Sequence, residues 1–129
     1  MIPLDIQSLN HVAVQTKRLD ESRRFYVDVL GAKEITRPNF SFGGAWLYLS
    51  GIQIHLIEQG SPAGRTDVDT RGNHFSFAVA DVDAAEARLK QHGIAYKRKL
   101  IPDRGIHQIF FQDPDGHTIE VGKYGIIDV

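Results

Sequence analysis

The stretch Gln112-Asp113-Pro114-Asp115-Gly116-His117-Thr118-Ile119-Glu120-Val121 decides how the end of this chain folds. Pro114 presets the backbone angle φ for the second position of a tight turn, and Gly116 supplies the left-handed conformation that closes it. Apolar residues flank this turn on both sides, so the stretch predicts a β-hairpin. Its second strand carries Glu120, which needs a partner because burying an unpaired charge is costly.

The best partners for Glu120 are three histidines upstream, each placed similarly in its own strand. The pair Asn10-His11 recurs as Asn73-His74, an offset of 63 residues (74 − 11), and His55 recurs as Glu120, an offset of 65 (120 − 55). In each half a β-like run leads to a helical segment closed by glycine and then to three strands. This order, repeated at a nearly constant offset, indicates an internal duplication.

The duplication predicts an α+β fold in which two tandem βαβββ modules form one domain. The predicted domain spans residues 1–129, with module one at about 8–58 and module two at about 72–122. Asp20 is expected to cap the first helix, and Asp81 or Asp83 the second. The run Lys97-Arg98-Lys99 is expected to be a solvated edge strand, because edges are often defended by lysine.

Alternation within the strands separates two faces, since successive side chains point to opposite sides of a sheet. One face is apolar and should pack against the helices. If the other face were simply solvated, Lys and Glu should dominate it. It carries instead His11, Ala13, Trp46, Tyr48, Gln53, His55, His74, Ser76, Gln108, Phe110, Thr118 and Glu120. This mixture suits the wall of a polar cavity, so we expect the two sheets to curl around a pocket, with the helices outside.

Composition excludes several classes of function. The net charge is −1 without a basic run, so nucleic acid is not an expected partner. The chain has no Cys, which excludes disulfides and thiolate metal ligands. No signal peptide and no apolar run of membrane-spanning length is visible, so we expect a cytoplasmic protein without membrane contact.

The chain resembles the vicinal oxygen chelate superfamily, which includes glyoxalase I, bleomycin-resistance proteins, fosfomycin thiol transferases and extradiol dioxygenases. The resemblance extends from Leu9 to Val121. The motifs that carry it are Asn10-His11-Val12-Ala13-Val14, Phe25-Tyr26 with Leu30-Gly31, Gly72-Asn73-His74, and Asp113-Pro114-Asp115-Gly116-His117 leading to Glu120. In that family each βαβββ module curls into half a barrel, and two modules enclose a divalent metal. The resemblance therefore implies curled mixed sheets that form a barrel-like metal cavity, with the helices outside.

The resemblance implies that His11 and His55 from one module, with His74 and Glu120 from the other, are the metal ligands. Imidazole and carboxylate ligands suit Zn, Fe, Mn, Ni or Co. Two histidines and one carboxylate leave positions open for a substrate, and His55 is either a fourth ligand or an acid–base residue. Glu120 and His55, equivalent in the two modules, are the candidates for proton transfer.

Further residues are candidates for binding a small-molecule substrate. Trp46, Tyr48, Gln108 and Phe110 lie on the predicted cavity face, and Arg104 lies in the loop before the last hairpin, where it would suit an anion. The resemblance also implies a homodimer, in which modules pair either within one chain or across two chains.

The expected function is that of a metal-dependent enzyme that chelates a small oxygenated substrate. The reaction would be that of a lactoylglutathione-lyase-like isomerase or lyase, or of a dioxygenase. The alternatives are a thiol transferase of the fosfomycin-resistance type and a non-catalytic drug-binding protein. Ala13 stands where fosfomycin enzymes typically have a hydroxyl residue, and His55 stands where glyoxalase I normally has glutamate. Drug-binding relatives usually lack the metal ligands.

Overall fold

Each half of the chain folds as a strand, a helix and three further strands. The computed structural model describes residues 1–60 and 66–124. The elements of the first half are β1 (His11–Thr16), α1 (Leu19–Asp28), β2 (Lys33–Ile35), β3 (Gly44–Leu49) and β4 (Ile52–Glu58). Those of the second half are β5 (His74–Ala78), α2 (Val82–Gln91), β6 (Tyr96–Ile101), β7 (Ile106–Gln112) and β8 (Thr118–Gly122). The predicted α+β class and βαβββ order are confirmed.

The two halves correspond to two structural units, Met1–Gly60 and Ser61–Val129. The polar linker predicted between the modules lies partly outside the described residues, at 61–65. The described residues include no helix that is long and apolar enough to cross a membrane. That both modules form a single domain around one cavity stays a prediction.

Each unit contains one mixed four-stranded sheet. The strand orders are β1-β4-β3-β2 and β5-β8-β7-β6, and the first and last strands of each module pair in parallel. A parallel pair needs a long crossover connection, which the helix and two intervening strands provide. The registers agree as well: Ala13 lies opposite His55, and Ser76 lies opposite Glu120. The inferred duplication is therefore visible at the level of individual residue pairs.

The hairpin predicted from the opening stretch joins β7 to β8. Gly116 has φ of 90° and donates its N–H to the carbonyl of Asp113 at 3.0 Å. The Asp113 side chain adds a second set of bonds, because its Oδ1 accepts the N–H of Asp115 at 3.0 Å and that of His117 at 2.9 Å. A buried aspartate thus organises the turn that orients the strand of Glu120.

Each helix packs on the apolar face of its own sheet. Helix α1 contacts β3 and β4 through buried Phe25 and Tyr26, and α2 contacts β7 and β8 through buried Leu89. The core strand residues exposed by 1% or less are Leu47, Ile54, Leu56, Ile109, Phe111 and Ile119. Each such side chain contributes roughly 1.5–3 kcal/mol to the free energy of folding when fully buried. The predicted metal ligands lie on the opposite face of each sheet.

The first helix begins differently from the prediction. The residue that precedes it is Arg18, without a side-chain cap, whereas Asp20 lies exposed in the first turn and pairs with Arg23 at 3.0 Å. The negative charge of Asp20 therefore stabilises the positive N-terminal end of the helix, but its side chain does not cap the helix. In the second helix Asp81 is the cap, as one of the two predicted alternatives, and accepts the N–H of Ala84 at 3.0 Å.

The edge strand β6 is only partly solvated, which corrects the prediction for its basic run. Arg98 is half-buried and bridges to α2, through Asp83 at 2.8 Å and Glu86 at 3.0 Å. Lys97 and Lys99 are exposed on the opposite face, where their Nζ atoms donate to Val68 O at 2.8 Å and Thr70 Oγ1 at 3.2 Å. Strand alternation sends Arg98 to the helix side, where the two carboxylates bind it.

Candidate metal centre

In the first unit the sheet brings His11 and His55 together. Strand β4 lies between β1 and β3, so His55 has a neighbour on each side of its ring. The His11 ring stacks on it at a centroid distance of 4.0 Å, and the Trp46 ring at 4.1 Å and an interplanar angle of 3°. The result is a flat stack of three rings on the face opposite α1.

Hydrogen bonds leave the lone pair on a different ring nitrogen in each of the two imidazoles. Nδ1 of His11 lies 2.8 Å from Oδ1 of Asn10. Because an amide oxygen only accepts, Nδ1 carries the hydrogen and Nε2 keeps its lone pair. His55 is reversed, since its Nε2 donates to Oε1 of Gln53 at 2.8 Å. Burial, and the repulsion from His11, lower the pKa of His55 and so favour a neutral ring.

In the second unit Glu120 is buried and hydrogen-bonded through both carboxylate oxygens. The residue is 5% exposed. Oε2 accepts from Oγ of Ser76 at 2.6 Å and from the Tyr124 hydroxyl. Oε1 accepts from Nε2 of Gln108 at 3.1 Å. These donors meet the requirement for a partner that the sequence raised for this carboxylate.

The imidazole of His74 faces the same carboxylate. Its Nδ1 lies 2.8 Å from the carbonyl oxygen of Gly72, which holds the hydrogen on Nδ1 and the lone pair on Nε2. Nε2 lies 3.6 Å from Oε1 of Glu120, too long for a hydrogen bond. Metal bonds of about 2.1 Å at ordinary coordination angles separate two ligand atoms by about 3.0–3.4 Å. The gap is therefore close to the span of a cation.

The predicted substrate-binding residues divide between these surroundings. Phe110 is buried with its ring edge-on to His74 at 5.5 Å, and Gln108 binds Glu120 directly. Trp46 belongs to the histidine stack, whereas Tyr48, 47% exposed, follows it on the same strand face. Arg104 lies in the exposed turn between β6 and β7, where its N–H donates to Ile101 O at 3.3 Å.

Each unit thus brings two of the four predicted ligands together. Within the described part of the chain, no three His, Asp or Glu side chains are grouped as a metal site. The four-residue ligand set and the catalytic roles therefore stay predictions.

Sequence reasoning missed Tyr124, which binds the carboxylate of Glu120. Burial, with the hydrogen bond to Glu120, raises the pKa of Tyr124 to about 12. The residue follows the last strand, where strand alternation no longer assigns a face. A usable signal was Gly122, because glycine within a strand marks a place that another group approaches closely.

Comparison with known proteins shows which family the chain belongs to. A sequence model of the Glyoxalase/Bleomycin resistance protein/Dioxygenase superfamily matches residues 8–121. Glyoxylase I 4 of Arabidopsis thaliana is 42% identical over 125 residues, which cover 92% of this chain and 72% of that protein. Metallothiol transferase FosB of Lysinibacillus sphaericus is 29% identical over 124 residues, covering 91% of this chain and 82% of that protein.

A solved structure supports the fold. The crystal structure of the fosfomycin resistance protein FosX from Listeria monocytogenes has a TM-score of 0.80, covers 94% of both chains and is 24% identical. The two curated relatives carry the names of enzymes, which confirms the expectation of an enzyme. By its matched length and by these relatives, the chain belongs to the Glyoxalase/Bleomycin resistance protein/Dioxygenase superfamily.

Proposed function

We propose that this chain is a metal-dependent enzyme of the glyoxalase type, an isomerase or lyase for a small substrate with two adjacent oxygen functions. The relative that is 42% identical is named glyoxylase I, which favours this reaction class. The observation that carries the proposal is the facing pair in the second unit, His74 Nε2 and Glu120 Oε1 at 3.6 Å.

His11, His74 and Glu120 would hold the metal, in one chain or across two copies of it. The donor set fits such a group, because imidazole nitrogens and a carboxylate suit Zn, Fe, Mn, Ni or Co. In both histidines Nδ1 is held by an oxygen acceptor, Asn10 Oδ1 or Gly72 O, each at 2.8 Å. Metal-binding histidines in proteins are oriented in this way, with the other ring nitrogen bonded to an oxygen.

His55 is proposed to transfer protons and not to serve as a fourth metal ligand. Its Nε2 already donates to Gln53, and its ring is fixed between His11 and Trp46. A lowered pKa keeps the imidazole neutral, so one ring nitrogen retains a lone pair that can accept a proton. Substituting His55→Ala distinguishes the roles: loss of turnover at full metal content supports proton transfer, whereas loss of metal affinity supports a ligand.

The residues of the chain supply the other steps. When bound, the metal would act as a Lewis acid and stabilise negative charge on a substrate oxygen, by several kcal/mol. Trp46 and Phe110 present apolar rings beside the candidate ligands and would limit the access of water. His55 would accept the proton that the substrate loses, with Glu120 as its counterpart, and Gln108, which already donates to Glu120, would orient the carboxylate.

The thiol transferase alternative has weaker support. FosB is 29% identical to this chain, and Ala13, which lies opposite His55, offers no hydroxyl for a substrate oxyanion. Tyr48, exposed on β3 beside the strand of His55, and Arg104, a cation in the exposed turn between β6 and β7, are proposed to bind the remainder of the substrate.

We further propose that the protein is a homodimer. Strands β1 and β2 are the edges of one sheet, and β5 and β6 those of the other. Exposed sheet edges are commonly covered by a second copy of the same chain.

The test of the proposed function is metal binding by purified protein without an affinity tag. We expect the wild type to bind one divalent ion, Glu120→Ala to bind none, and Glu120→Gln, which keeps the side-chain shape, to bind much more weakly. Glu58→Ala, which removes an exposed carboxylate at the end of β4, is the matched control and should bind as the wild type does. Full occupancy in both Glu120 variants contradicts the ligand assignment.

A further inference from the structure

The side chain of Tyr124, two residues beyond β8, turns back over the end of that strand to reach Glu120. Its hydroxyl contacts Oε2 of Glu120 and lies 2.8 Å from Oγ of Ser76. Ser76 in turn donates to the same Oε2 at 2.6 Å. Tyr124 is 38% exposed, so the phenol lies at the boundary between solvent and a buried carboxylate.

The hydrogen-bond donors around Glu120 are divided between its two carboxylate oxygens. Ser76 and Tyr124 have one hydroxyl hydrogen each, and a carboxylate oxygen has two lone pairs. Two donated bonds therefore occupy Oε2 fully. Oε1 has Gln108 as a donor and faces Nε2 of His74 at 3.6 Å. The two carboxylate oxygens thus have different tasks: Oε2 is held by hydroxyls, and Oε1 is directed toward the histidine.

Gly122 makes room for this arrangement. A Cβ atom at this position would lie 2.7 Å from the Tyr124 hydroxyl oxygen and 2.8 Å from Cζ of the ring. Both distances are far shorter than carbon contacts allow. The absence of a side chain at Gly122, the last residue of the fully buried strand β8, is therefore what permits the phenol to lie against the sheet.

We propose that Tyr124 is a positioning residue of the metal centre, which fixes Oε2 of Glu120 so that Oε1 is presented beside Nε2 of His74. This inference rests on the proposed function, because it assigns Glu120 to the metal. It adds a residue outside the predicted ligands and substrate-binding residues. Tyr124 acts through Glu120 and does not touch the metal itself.

The test compares Tyr124→Phe with Tyr96→Phe in the full chain. Both substitutions remove a phenol that bonds to a glutamate of the same unit, but the partner of Tyr96 is Glu86 on α2. The dissociation constant for Co²⁺ is measured by chelator competition, and the visible absorption of bound Co²⁺ reports its ligand geometry. Hydrogen bonds behind metal ligands typically change metal affinity by about 10–100-fold. We therefore expect Tyr124→Phe to weaken binding at least about tenfold and to change the Co²⁺ spectrum, and Tyr96→Phe to change neither.

A second variant tests the same contact without removing the hydroxyl. Gly122→Ala should displace the phenol and weaken Co²⁺ binding at least as much as Tyr124→Phe does, because its Cβ also lies 3.1 Å from the carbonyl oxygen of His107. In the Tyr124→Phe background its further effect should be smaller, since the bond from the phenol is already lost. Wild-type affinity and spectrum in Tyr124→Phe, or tighter binding, overturns the inference while stoichiometric wild-type binding leaves the proposed function intact. If the wild type itself binds no Co²⁺, the proposed function fails and the role of Tyr124 fails with it.

Discussion

Replacing Asp113 by alanine should destabilise the protein through the turn before the strand of Glu120. Asp113 is 1% exposed, and its Oδ1 accepts the N–H groups of Asp115 and His117 at 3.0 and 2.9 Å. Asp113→Ala leaves both donors without this acceptor. An unsatisfied buried donor costs about 1–3 kcal/mol, so two donors predict that the free energy of unfolding falls by about 2–6 kcal/mol. Because water reaches half-buried His117, we expect a loss of about 3 kcal/mol.

Urea unfolding of the metal-free protein measures this loss as a lower midpoint at unchanged denaturant dependence. Asp113→Asn retains an oxygen at the acceptor position and should lose less than the alanine variant. Asp103→Ala removes an exposed aspartate from the turn between β6 and β7 and should stay within about 0.5 kcal/mol of the wild type. If Asp113→Ala costs no more than Asp103→Ala, the side-chain bonds are not what stabilises the hairpin.

Two further predictions concern stability against pH and the oligomeric state. Burial and His11 lower the pKa of His55 below 6.5 in the folded chain, so the unfolded chain takes up the proton first. The stability that this contributes is present above pH 6.5 and is lost as the pH falls through the folded pKa; His55→Phe should reduce this loss in urea unfolding, and an unchanged pH dependence contradicts the prediction. Sedimentation at micromolar concentration should show a homodimer, and a monomer there would refute it.

The sequence predicted the positions of the candidate ligands because two periodicities are readable in it. Strand alternation assigns a face to each strand residue, and the duplication makes His55 equivalent to Glu120. The structure adds the register, in which Ala13 lies opposite His55 and Ser76 opposite Glu120. Arg98 obeys the same alternation, and its pairing with α2 was obscured because its neighbours Lys97 and Lys99 suggested a uniformly solvated strand.

The partners of these residues were less accessible to sequence reasoning. Which ring nitrogen of His11 or His55 carries hydrogen depends on the side-chain conformations of Asn10 and Gln53, and these follow from packing. Tyr124 lies beyond the last strand, where no periodicity applies, so its return to Glu120 is a tertiary contact. The start of a helix is likewise set by local competition, which is why Asp20 was misassigned as a cap.

The two halves retain equivalent positions but have acquired opposite chemistry. His55 has Ala13 opposite it, and burial together with the neighbouring His11 lowers its pKa, which favours an uncharged imidazole. At the equivalent position Glu120 has Ser76 opposite it and receives hydrogen bonds from Ser76, Gln108 and Tyr124, which suit an ionised carboxylate. Under the proposed function, the protein would therefore supply one negative charge and neutral imidazoles to a divalent cation. The positive charge that remains would stabilise negative charge developing on the substrate.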